Sequence, residues 1–158
     1  MKAVFTILLG VQLLASIALA SNYKMAKQYK LTVINLTKGQ PLTPPVVAVH
    51  SPGYQLIHLG EEASLGLGAL AKDGVTDGLV EELNQNMQVV RSATGTGVIL
   101  PGHKQEILVE ANNPRFEMTV VSMLARTNDA ISVVKNIGLH LRKGQKKAYL
   151  ASTYDAGV

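Results

Sequence analysis

The sequence predicts an all-β, mainly antiparallel β-sandwich with two short helices inserted in one connection, and three observations carry that expectation. Short runs rich in β-branched residues recur from Tyr29 to Leu150. Gly and Pro punctuate them at close intervals, as turns require. Only two neighbouring stretches, both before Met87, change to a helical period. Several short strands separated by turn residues favour a sandwich or barrel over a parallel sheet with crossover helices.

The first strand is expected within Tyr29 to Leu36, where Thr32, Val33 and Ile34 supply β-branched character and Thr37-Lys38-Gly39-Gln40-Pro41 ends the run. Pro44-Pro45 then precedes a second strand, Val46-Val47-Ala48-Val49, stopped by Ser51-Pro52-Gly53. From Glu61 to Ala71 the apolar residues Ala63, Leu67, Leu70 and Ala71 share one helical face, with Gly66 and Gly68 counting against a helix. Asp73-Gly74 turns the chain, and Asp77 to Asn86 reads as a second short helix with Leu79 and Leu83 one turn apart. Both helices are expected to pack on a sheet.

Strands resume at Val89-Val90, with turns at Gly95, Gly97 and Pro101-Gly102. Between Gln105 and Glu110, Ile107 and Val109 take one face and Glu106, Leu108 and Glu110 the other. The strongest strand alternates Phe116, Met118, Val120, Ser122 and Leu124 with Glu117, Thr119, Val121 and Met123. Its first set is expected in the core and its second half exposed, so Val121→Asp should cost much less than Val120→Asp. Ile137, Leu139 and Leu141 alternate in a further strand, and Lys143-Gly144-Gln145 is expected as a hairpin turn into Ala148-Tyr149-Leu150.

The first twenty residues read as an export signal. Lys2 gives a positive start, residues 3–14 are apolar apart from Thr6 and Gln12, and Ala18-Leu19-Ala20 is the small-x-small pattern of a cleavage site. The competing reading is a membrane anchor, because the apolar stretch can reach ~18 residues. Polar residues follow at once from Ser21, and no second apolar span occurs. The expectation is a signal peptide at 1–20, cleavage near Ala20, a secreted or periplasmic product without a transmembrane span, and a single domain at 21–158. The leader inflates the mean hydropathy of +0.18. With no cysteine in the chain, a domain of this size relies on its core rather than on disulfides, which suits a bacterial-type export route. The net charge of +4 loses one with Lys2 and is too mild to demand an anionic partner. Trp is absent and Phe116 is the one Phe beyond the leader, so stacking groups are few and nucleic acid is not an expected partner.

Three stretches share an order and spacing with a known module: Asn35-Leu36-Thr37-Lys38-Gly39-Gln40-Pro41 followed by Thr43-Pro44-Pro45; Thr127-Asn128-Asp129-Ala130; and Tyr154-Asp155-Ala156-Gly157. Together they resemble the spondin N-terminal domain family over roughly residues 29–157. The resemblance implies a secreted, non-enzymatic adhesion or recognition domain, a sandwich of the synaptotagmin type, and a calcium site of the kind found in animal members. It places Asp129 and Asp155 as the candidate metal ligands, in loops closing the same end of the sandwich. In the family the Asp-Ala-Gly stretch continues into further Thr and acidic residues, whereas this sequence stops at Val158. The expectation is a domain cut short at its carboxyl end.

Calcium takes six to eight hard oxygen ligands, so two aspartates would need carbonyls, amides and water beside them. The alternative for both is turn formation, since Asp bonds its own backbone two residues on. The four histidines, His50, His58, His103 and His140, lack short metal-ligand spacing, and partly exposed structural roles are expected for His50 and His140. There is no G-x-S-x-G elbow, Ser64 falls in a helical pattern, and Gly95-Thr96-Gly97 is too short to cradle phosphate. The alternative function is a metal-assisted hydrolase of an extracellular substrate, using Asp129 and Asp155 with one histidine. Arg142, Lys143, Lys146 and Lys147 crowd one predicted turn. They form a candidate patch for a surface protein, an anionic glycan or a lipid, or else a solvated turn that blunts a sheet edge. Asn35-Leu36-Thr37 matches the N-glycosylation acceptor, but Asn35 is expected to cap the following turn instead.

Overall fold

The computed structural model describes residues 26–158; the expected signal peptide and its cleavage point lie outside them. Seven strands and two helices follow one another: β1 (Lys27–Ile34), β2 (Val46–His50), α1 (Leu65–Asp73), α2 (Asp77–Gln85), β3 (Val89–Thr94), β4 (Lys104–Ala111), β5 (Glu117–Met123), β6 (Ala130–Gly138) and β7 (Ser152–Asp155). Every pairing is antiparallel. One sheet has five strands in the order β3-β2-β5-β6-β7, and the other pairs β1 with β4. The all-β expectation therefore holds, with both helices in the β2–β3 connection. No helix of the described residues is long and apolar enough to cross a membrane.

Three layers result, because the five-stranded sheet is covered on both faces. Val47 and Val49 of β2 with Met118 and Val120 of β5 face the two-stranded sheet, where they meet Ile107 and Val109. Val46, Ala48, Val121, Ile131 and Val133 face the helices, meeting Leu67, Leu70, Leu79 and Leu83. Val121 is fully buried and Val120 is 7% exposed, so the expected half-exposed face of β5 is instead a second core. Strand alternation tells the two faces apart but cannot say that a helix pair will cover the second one.

The glycines of α1 explain why it forms against its weak propensity. A Cβ on Gly66 would lie 2.6 Å from the Gly78 carbonyl carbon and the Leu79 nitrogen, so Gly66 is where α2 crosses closely. Ser64 is not helical but caps α1, its Oγ accepting from Leu67 N at 3.2 Å. The first turn of α1 carries no acid of its own; Glu82 of α2 supplies one, accepting from Ser64 Oγ and Gly66 N, both at 2.6 Å. That carboxylate satisfies an orphan amide at the positive end of the helix dipole. At the other end Gly74 takes φ 70° and its N–H bonds Leu70 O, the left-handed cap that glycine adopts without strain.

His50 departs from its expected partial exposure. It is fully buried, its ring lies tilted against that of Tyr54 with centroids 4.9 Å apart, and both ring nitrogens are engaged. The contacts close with one proton assignment: Asn136 N–H donates to Thr119 Oγ1 (3.3 Å), the Thr119 hydroxyl donates to His50 Nε2 (2.9 Å), and Nδ1–H donates to Ser51 O (3.0 Å). This chain ties β2, β5 and β6 together where the β5–β6 register shifts and Asn136 takes φ 56°.

Candidate functional site

The three sequence stretches that carry the family resemblance meet at one end of the sandwich. Asn35 is 1% exposed and organises the β1–β2 loop, its Nδ2 donating to Gln40 O (2.7 Å) and to Ile99 O (2.8 Å) while Oδ1 accepts from Thr37 N (3.0 Å). Capping of the following turn is thus realised, and the acceptor nitrogen of Asn35-Leu36-Thr37 is occupied. From this loop Gln40 Oε1 accepts from Arg126 N (2.9 Å) and Pro41 O from Ala125 N (2.9 Å), which joins it to the β5–β6 turn. There Thr127 Oγ1 donates to Leu124 O (2.7 Å) and accepts from Ala130 N (3.2 Å). Asp129 O in turn accepts from Ala156 N at 3.1 Å, which brings in the last stretch.

Asp129 and Asp155 come together, but not as two loop residues. Asp155 is the final residue of β7, opposite Ala130 in the β6–β7 ladder, and Asp129 is the residue just before β6. The ladder register therefore sets the pair. Asp129 is half buried and Asp155 exposed. Desolvation, then the charge of Asp155, then a hydrogen bond with its carboxyl raise the pKa of Asp129 above the ordinary 3.8. Two carboxylates so placed repel when both are ionised, a strain that a cation relieves. Asp155 also does what a turn-former does, since its Oδ1 accepts from Gly157 N at 2.8 Å. One carboxylate oxygen of Asp155 remains outside that bond.

Among the described residues no group of three or more His, Cys, Asp or Glu side chains gathers at metal-binding distance. The remaining ligands of an ion held here would be carbonyls and water, which suits calcium rather than a nitrogen-seeking metal. His58 is the histidine that shares a cavity with Asp155; His50 is spoken for, and His103 Nδ1 lies 3.1 Å from Pro101 O.

Arg142, Lys143, Lys146 and Lys147 are all exposed. A turn forms there, Gln145 N donating to Arg142 O and Arg142 N to Gln145 Oε1, but no ladder flanks it. Residues 148–150 are not a strand; β7 begins at Ser152. The expected hairpin is therefore an isolated turn, and by the course of β6 and β7 it lies at the end of the sheet away from the aspartates. The strand expected over Ile137 to Leu141 overlaps β6 only at Ile137 and Gly138, and residues 139–141 are not strand; the rest of β6 is not anticipated, although Ile131 and Val133 alternate with Ser132 and mark it.

Compared with known proteins, the chain matches no family model and no curated protein.

Proposed function

We propose that this chain is an exported, non-enzymatic recognition domain of the spondin amino-terminal type, with a calcium-dependent corner built on Asp129 and Asp155. The observation that carries the reading is the convergence just described. Three ordered stretches, far apart in sequence, meet at the β5–β6 turn, where Gln40 Oε1 accepts from Arg126 N and Asp129 O from Ala156 N, and the two carboxylates stand where the last two of them join. Calcium bound there would neutralise the pair and brace the β5–β6 turn against the end of β7. An adhesion module gains from such bracing because it fixes the loops that a partner reads. The basic turn from Arg142 to Lys147 is a separate contact surface for an anionic glycan or lipid in the same reading.

Thermal unfolding of the secreted protein, with calcium varied from chelation to about 10 mM, tests the proposal. An ion bound only by the folded state adds ~2.7 kcal/mol at 100 times its dissociation constant, and extracellular modules bind in the ~0.1 to 1 mM range. The wild type should gain in melting temperature, and Asp129→Asn and Asp155→Asn should each abolish the gain. A melting temperature indifferent to calcium in all three proteins would reduce both aspartates to turn-formers.

A further inference from the structure

Between β6 and β7 the chain leaves the fold. β6 ends at Gly138 and β7 begins at Ser152. Leu139 is still buried, and its carbonyl accepts from the Tyr29 hydroxyl at 2.7 Å. From Arg142 to Ala151 every residue is exposed and none belongs to a strand or helix. Among the described residues, the hydrogen bonds of that stretch are those of its own turn, Gln145 N to Arg142 O and Arg142 N to Gln145 Oε1. Two basic pairs lie in it, Arg142-Lys143 and Lys146-Lys147. The other cations of the described residues sit on backbone that is tied down. Lys27, Lys30, Lys72, Arg91, Lys104 and Lys135 belong to strands or to α1. The amides of Arg115 and Arg126 bond Asn113 Oδ1 and Gln40 Oε1, and Lys38 lies inside the loop closed by the Gln40 N to Thr37 Oγ1 bond.

Exposed loops are nicked first because a protease must draw several residues of extended chain into its cleft, which ladder-bound residues do not permit. Serine proteases selective for Lys or Arg seat that side chain over an acidic pocket floor. We propose that residues 142–147 are a processing site for a secreted serine protease of basic specificity, and that the cut frees β7 from the sheet. Hydrolysis after Lys147 consumes one water: the Lys147 carbonyl becomes a carboxylate and the Ala148 nitrogen an ammonium terminus. The product, residues 148–158, carries β7 and Asp155. It is held by the short ladder of Ser152–Asp155 on β6, by burial of Ala156 with its bond to Asp129 O, and by Lys135 over the Tyr154 ring. In the intact chain the tether keeps β7 at an effective concentration on the order of millimolar; the cut removes that advantage and leaves a bimolecular equilibrium. Release takes one carboxylate from the Asp129–Asp155 pair and uncovers the edge of β6, so cleavage switches off this end of the sandwich. The inference needs the β6–β7 ladder and not calcium.

Brief trypsin digestion of the folded protein in chelator, followed by intact mass, tests the site. The first cuts are expected within 142–147, ahead of any at Lys72, Lys104 or Lys135. Urea below the unfolding transition should not accelerate them, because no unfolding is required. Replacing Arg142, Lys143, Lys146 and Lys147 together by Gln should slow the first cut by about tenfold or more without moving the unfolding midpoint, since all four side chains are exposed. Size exclusion of the cut protein at micromolar concentration should separate residues 148–158 from the body. A first cut elsewhere, an unslowed fourfold variant, acceleration by urea, or co-elution of 148–158 with the body would each overturn the proposal.

Discussion

At the scale of single residues, Asn35 and Asp129 show how one polar group fixes a loop or stores a repulsion. Asn35 spends both amide hydrogens on carbonyls from different loops, so Asn35→Asp would aim a carboxylate oxygen at acceptors with no donor between. The expected loss is about 3 kcal/mol, from the unmade bonds and the buried charge, read as a lower denaturant midpoint at an unchanged slope. For Asp129 the sign follows from a raised folded pKa. Its stabilising contribution is complete below the unfolded value near 3.8 and is lost as pH rises through the higher folded value. In chelator, Asp129→Asn should therefore flatten the stability profile just above pH 4 and melt higher than the wild type at pH 7. Equal pH profiles for the two proteins would mean that the Asp155 charge is not felt. Neither Asp155 nor its separation from Asp129 hinted at this contact through any local spacing; the family likeness alone paired them. Asn35, by contrast, was legible, because a strand-ending Asn before Thr-Lys-Gly is a turn-capping pattern whatever the fold.

At the scale of elements, packing overrides propensity in two places. Gly66 should cost a helix, and Gly66→Ala would gain up to ~1 kcal/mol in an isolated one. Here the new methyl meets backbone atoms of Gly78 and Leu79 at 2.6 to 2.7 Å, so the variant should be less stable by about 1–3 kcal/mol as α1 and α2 are pushed apart. Gly68→Ala is the control: its Cβ would meet only the Val158 side chain at 3.2 Å, and thermal unfolding should show it neutral or slightly stabilised. On β5, Val120→Asp and Val121→Asp should both lose several kcal/mol, because each buries an unpaired charge in one of two cores. If Val121→Asp melts close to the wild type, the helices do not seal that face. The strands were readable where one face stayed wet, as in β4, whose Glu106 and Glu110 mark the outside. Where both faces are covered, as in β5, the strand itself is legible but the burial of its second face is not, and β7, an edge strand of four residues with little apolar content, lies several residues later than expected.

At the scale of the whole molecule, three layers set the relation between fold and site. The five-stranded sheet is held from both sides, so its end carries the β1–β2 loop, the β5–β6 turn and the end of β7 in a fixed arrangement. The helical insertion followed from period changes along the sequence; the third layer did not, because alternation cannot say what covers the second face of β5, and neither did the network joining the three loops, which runs through backbone carbonyls of Gln40, Pro41 and Asp129 that no side-chain pattern announces. What this end does rests on whether a cation neutralises the aspartate pair. The most direct measurement is the titration of the Asp129 carboxyl carbon by NMR, in chelator and again with calcium at about 10 mM, well above the ~0.1 to 1 mM affinity expected of such modules. Without the ion the midpoint should stand above the ordinary 3.8, and with it the midpoint should move to lower pH, because a bound cation favours the charged form. Superimposable titrations in the two conditions would contradict a calcium site at Asp129 and Asp155.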